Sequence, residues 1–168
     1  LDTLAREGAT LVPVDAPPPA PLSELGRVLV YSEAAAAHAP LLREHGEAYS
    51  PQVRARIMTG FAIPAPTYLA ARQARPRVLR EFVAATLDGC DALLVPTLTS
   101  AVPTLAATDV GGGDGMWRVI ASLVRNVAPF NYLGLPALSL PAGVDAAGMP
   151  VGLQLVGRPY AEARLLRI

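Results

Sequence analysis

Asn131 to Gly157 reads NYLGLPALSLPAGVDAAGMPVGLQLVG. Two apolar runs, Ala137–Leu140 and Val151–Val156, flank a turn-rich break that contains Gly143, Asp145 and Gly148. Pro136 and Pro141 bracket the first run, and Pro150 precedes the second. Proline lacks a backbone donor, so it fits strand ends and is excluded from central ladders. In the second run Val151, Leu153 and Leu155 alternate with Gly152, Gln154 and Val156. A period of two marks a strand, and Gly152 within it points to a close backbone approach or a bulge. The stretch therefore predicts two strands joined by a turn.

Working outward, Asp91-Ala92-Leu93-Leu94-Val95-Pro96-Thr97 is a continuous apolar run after a helical pattern. It predicts a strand at 91–95, buried on both faces and stopped by Pro96. Thr97 stands where side chains emerge at the C-terminal end of such a strand, a usual ligand position in open α/β sheets. A hydroxyl that only satisfies the loop backbone is the competing reading. Met116–Asn126 predicts a helix with Trp117, Ile120, Leu123 and Val124 as its apolar stripe. The preceding Gly111-Gly112-Gly113-Asp114-Gly115 lacks the Lys-Ser/Thr ending of a phosphate loop and reads as a flexible loop.

Upstream, Leu1–Glu7 reads as the end of a helix stopped by Gly8, and Ala9–Val14 as a short strand. Asp15–Leu22 holds four prolines and reads as an extended connector rather than a ligand for a partner domain. Ser23 is the expected cap of a helix running to Glu44–His45. Ser50-Pro51 opens another helix, which Gly60 ends. Thr67 is the expected cap of a third, with Pro76 kinking it or dividing it in two. His38 and His45 lie seven residues apart, roughly 10 Å along a helix, too far to share one metal ion. No metal constellation and no cofactor motif is found.

The chain has 168 residues and zero formal net charge, and all 14 of its basic residues are arginine. One domain spanning 1–168 is the default. Neutrality gives no reason to expect nucleic acid or an acidic membrane surface as partner. No run approaches the roughly 20 apolar residues of a membrane span. The single Cys90 cannot form an internal disulfide, which fits a reducing, cytoplasmic setting. Beside a helix end and before a strand, it reads as an inert core thiol.

The chain resembles the amidase signature family, which hydrolyses or transfers amides with a Ser–cis-Ser–Lys triad. The resemblance rests on Pro129-Phe130-Asn131, Gly134-Leu135-Pro136-Ala137, Leu140-Pro141-Ala142-Gly143, Gly148-Met149-Pro150-Val151-Gly152-Leu153-Gln154 and Gly157-Arg158-Pro159, in that order. It continues upstream through Tyr49-Ser50-Pro51, Val53-Arg54, Gly60, and the Tyr68, Ala71 and Arg75 pattern. It implies an α/β fold, helices packed on a mixed sheet, with strands near 9–14, 91–95, 137–140 and 151–156. It also implies that the chain is the C-terminal portion of one such domain, cut at both ends. Glu33 and His38 match a Glu and a His of the family without a catalytic role being carried over.

By the same resemblance, Ala121 and Val124 line the substrate pocket; Thr97, from its place at the strand end, and Asn131, of the Pro-x-Asn motif, are the other expected substrate-binding residues. Glutamine-using members are expected to carry an acidic residue near the Val124 position, so valine implies an uncharged or apolar amide. No catalytic residue is assigned. Lysine is absent, and Ser23, Ser32, Ser50, Ser100, Ser122 and Ser139 lie outside any Gly/Ser-rich run. Ser139, alternating within a strand, reads as structural. The expectation is a portion of an amidase that supplies pocket walls and is inactive alone, its partner a small-molecule amide in the parent enzyme. The alternative is a non-catalytic module that associates with itself, or with the N-terminal part, through an exposed sheet edge.

Overall fold

The structure is a computed structural model that describes every residue except Gly112. It begins with α1 (Asp2–Arg6), closed near Gly8 at φ +99°. Residues 9–14 do not form the expected strand. Val14 packs against the core, but Leu11 and Val12 are exposed and Pro13 offers no donor, so the segment has no full ladder to contribute.

Helix α2 (Pro19–His45) starts four residues before the expected cap. Pro19 sits in the first turn, where a missing N–H costs nothing, and Ser23 Oγ donates back to Pro19 O at 3.0 Å. Part of the proline-rich connector is thus helix. A short 3₁₀ turn, Gly46–Ala48, leads to α3 (Pro51–Gly60), where Ser50 Oγ accepts from Val53 N as expected of a cap. Helix α4 (Ala65–Thr86) begins before Thr67 and runs unbroken through Pro76. Pro76 is exposed, so the carbonyl left without an amide partner lies on the solvent side of the helix.

Strand β1 (Leu93–Pro96) is followed by α5 (Leu105–Thr108), α6 (Asp114–Val124) and α7 (Ala128–Leu133). Gly134, at φ +72°, closes α7. Then come β2 (Ala137–Val144), β3 (Pro150–Val156) and α8 (Glu162–Leu165). The predicted hairpin is present. Val156 pairs with Ala137 and Leu153 with Leu140, and Asp145 Oδ1 accepts from the amides of Ala147 and Met149 in the turn, each at 2.9 Å.

The α/β class holds, with three strands that pair antiparallel in the order β1-β3-β2. β1 is therefore an edge strand of this sheet. Only Leu93 is buried; Leu94 and Val95 are half-buried and Pro96, which was expected to stop the strand, belongs to it. β2 likewise passes through Pro141, with an irregularity between Pro141 and Val144. An edge position explains both prolines, because an outward-facing donor is not missed there.

The core gathers Leu22, Leu29, Ala71, Phe82, Leu87, Phe130, Tyr132, Leu133 and Leu135 against Leu93 and Val156 of the sheet. α2 is its central element, packed on α3, α4 and α7. The buried Tyr132 hydroxyl donates to Ala71 O at 2.7 Å and fastens α7 to α4. Burial raises the Tyr132 pKa above its ordinary 10.0, while the charges of Arg75 and Arg77 work in the opposite direction.

Candidate functional site: the end of strand β1 and the α6–α7 junction

Antiparallel pairing places Leu93, Val95, Ala137, Ser139, Gly152, Gln154 and Val156 on one face of the sheet. Toward Val156 that face is core. Toward Gly152 it becomes polar. Thr97 N, one residue beyond β1, donates to Gly152 O at 2.9 Å and extends the ladder. Thr97 Oγ1 then lies 2.7 Å from Ser139 Oγ, across the middle strand. A Cβ on Gly152 would stand 2.8 Å from Thr97 Oγ1 and 3.3 Å from Ser139 Oγ, so only glycine lets the two hydroxyls meet there. The close approach expected at Gly152 is therefore an approach by these side chains.

A second set of bonds ties this end of β1 to α6. Asn126, two residues past the helix, donates from Nδ2 to Pro96 O at 2.8 Å. Gln154, buried on β3, donates from Nε2 to Asn126 O at 2.9 Å. The C-terminal end of α6 is thus held beside Thr97. Ala121 and Val124 lie on that helix, Ala121 exposed and Val124 half-buried. Asn131 sits exposed on α7, five residues beyond Asn126. The structure joins Thr97 to the α6–α7 junction through Asn126; no hydrogen bond links the Asn131 side chain to that cluster among the described residues.

Sequence reasoning missed Asn126 and Gln154 as a pair and gave Ser139 no partner. Gln154 carried one signal, a polar residue at an inward position of an otherwise apolar strand. The expected α6 stripe is half-buried throughout, and the fully buried residue is Met116. Trp117 packs against Tyr31 of α2 in a tilted arrangement, with ring centroids 5.8 Å apart. Of the loop from Gly111 to Gly115, Gly112 lies outside the described residues; Asp114 opens α6, and a carboxylate there competes with any anion for the positive helix end.

The remaining polar candidates are occupied. His38 Nδ1 is 2.8 Å from Tyr49 Oη, and Tyr68 Oη donates to Glu33 Oε1 at 3.0 Å. Cys90 is half-buried in the turn after α4 rather than in the core. Among the described residues no group of three His, Cys, Asp or Glu side chains could hold a metal ion. No helix among them is long and apolar enough to cross a membrane. A cleft of about 170 Å³ between α2 and α3 and another of about 430 Å³ near α8 are not lined by Thr97, Ala121, Val124 or Asn131.

Comparison with known proteins decides the family. The family model described as Amidase matches residues 1–166. The chain belongs to the amidase family. A fatty acid amide hydrolase of Medicago truncatula is 38% identical over 104 residues, 62% of this chain and 17% of that protein. One subunit of the glutamyl-tRNA(Gln) amidotransferase from Neisseria gonorrhoeae (strain NCCP11945) is 36% identical over 128 residues, 74% of this chain and 25% of that protein. A crystal structure of an amidase superimposes on 99% of the chain with TM-score 0.83 and 33% identity, using 38% of its own length. The chain thus spans a quarter or less of these curated relatives.

Proposed function

We propose that these 168 residues build a wall of the substrate cleft of an amide-cleaving enzyme, and that on their own they do not break the C–N bond. The reading is supported above all by the Asn126–Pro96 hydrogen bond, which ties the segment just past α6, the helix that carries Ala121 and Val124, to the residue before Thr97. Membership of the amidase family supplies the reaction class. Amide cleavage needs an activated nucleophile, a base and a donor site for the oxyanion. The base of the triad that the resemblance implies is a lysine, and none occurs among these residues.

Val124 shapes the choice of amide. A half-buried valine offers no counter-charge to an amino group, which favours an uncharged, apolar acyl portion. This agrees better with a hydrolase of the kind named among the relatives for fatty acid amides than with the glutamine-using members that the resemblance implies. A chimera tests the reading: residues 1–166 replace the matching segment of the structurally similar amidase. Retained amide hydrolysis is expected, with Val124→Asp raising KM for apolar amides about ten-fold, since a carboxylate at a half-buried site must be hydrated or neutralised. A folded, active chimera whose KM ignores Val124→Asp would contradict it.

A second reading has its own support. β1 and β2 are the edges of the described sheet, and edges with unpaired backbone groups recruit further strands. Self-association, or pairing with the rest of an amidase domain, would occur there. Sedimentation velocity across a hundred-fold concentration range separates a monomer from an edge-paired dimer.

A further inference from the structure

Most bonded hydroxyls in this chain are consumed locally. Ser23, Thr59, Thr86, Thr108 and Ser122 each donate to a carbonyl three or four residues back on the same helix. Thr97 and Ser139 differ. One directly follows β1 and the other lies on β2, the two strands that flank β3; they are 42 residues apart in sequence, and their oxygens are 2.7 Å from each other. One proton satisfies that contact. Two hydroxyls carry two protons, so one donor is left over. Ser139 is exposed and Thr97 half-buried, so the spare donor is accessible from outside. Nearby, Asn126 spends one Nδ2 proton on Pro96 O and keeps a second.

The arrangement is held in place on every side. Gly152 lacks the side chain that would part the hydroxyls, Thr97 N is fixed to Gly152 O, and Gln154 holds Asn126 from beneath. A hydroxyl donor fixed in place in this way recognises an acceptor oxygen and favours it over shapes that lack one. We infer that Thr97 and Ser139 together form a donor site for the carbonyl oxygen of a neutral carboxamide. The inference gives Ser139 a binding role, where sequence alone reads it as structural, and it rests on the cleft-wall reading above.

The test uses the ¹⁵N-labelled 168-residue chain, titrated with benzamide and, separately, with benzene, which matches the ring and has no acceptor. Benzamide is expected to shift the amide signals of Thr97, Ser139 and Gly152 saturably, and benzene to leave them in place. The double variant Thr97→Val/Ser139→Ala should bind benzamide about five-fold more weakly, the loss of one neutral hydrogen bond. Should that variant lose its dispersed spectrum, Ser139→Ala alone carries the test, since its side chain is exposed. Equal responses to benzamide and benzene, or benzamide binding unchanged in a folded variant, would overturn the inference. Val124→Asp separates it from the reading beneath it. If that change weakens both probes while the hydroxyl variants change nothing, the wall stands and the donor site falls; if neither kind of variant matters, both fall.

Discussion

At the scale of single residues, Tyr132 is the most informative. Its hydroxyl is buried and donates to Ala71 O, so Tyr132→Phe should cost about 1–2 kcal/mol in urea unfolding at pH 8. The same residue sets a pH limit. Burial favours the neutral phenol and raises its pKa in the folded chain above the unfolded value of 10.0. Stability from this group is then fully present below pH 10 and is lost as pH climbs through the raised folded value. Unfolding curves between pH 8 and 11 should show that alkaline decline in the parent and a shallower one in Tyr132→Phe. Ser32 makes the opposite case: its hydroxyl is buried without a partner among the described residues, so Ser32→Ala should be neutral or stabilising by up to about 1 kcal/mol. Neither residue stood out in the sequence. A buried tyrosine and a buried serine look like any others until the neighbour that does or does not meet them is known.

At the scale of elements, α2 and α3 cross so closely that Gly60 faces the backbone carbonyl of Tyr31, and an added Cβ would also lie 2.7 Å from Ala35 Cβ. Both obstacles are backbone or short side chain and cannot swing away. Gly60→Ala should destabilise by about 3 kcal/mol, read by thermal unfolding, whereas Ser50→Ala at the other end of α3 should cost only about 1 kcal/mol. The start of α3 was legible because Ser-Pro carries its own local chemistry: a side-chain acceptor and a fixed φ. The hairpin was legible for the same kind of reason, its alternation and turn residues being local. What local signals do not carry is the place of a strand in its sheet. Pro141 read as a strand stop yet lies inside β2, and Pro96 is itself the last residue of β1, because β1 and β2 occupy edges. Ala9–Val14 has strand-like composition and pairs with nothing described, and Ser23 was outcompeted as a helix start by Pro19.

At the scale of the molecule, the order of motifs from Tyr49 to Pro159 was enough to indicate the family, and the match over residues 1–166 bears that out. The proposed cleft wall was only partly legible. Thr97, Ala121, Val124 and Asn131 could be named from the sequence, but the tie between the end of β1 and the segment after α6 depends on Asn126 and Gln154, whose partners lie 28 to 30 residues away. Removing that tie tests it: Gln154→Leu should cost about 1–3 kcal/mol and loosen the α6–α7 junction, seen as faster amide hydrogen exchange at Val124–Ala128 with α2 unaffected. The central claim is that these residues shape a cleft and leave bond cleavage to groups they do not contain. Incubating the purified 168-residue chain with a fluorophosphonate and with simple aliphatic and aromatic amides, under intact-mass detection, tests it most directly. An unmodified mass and no released ammonia is the predicted result; a phosphonylated or acylated hydroxyl on this chain, with turnover that survives removal of host enzymes, would contradict it.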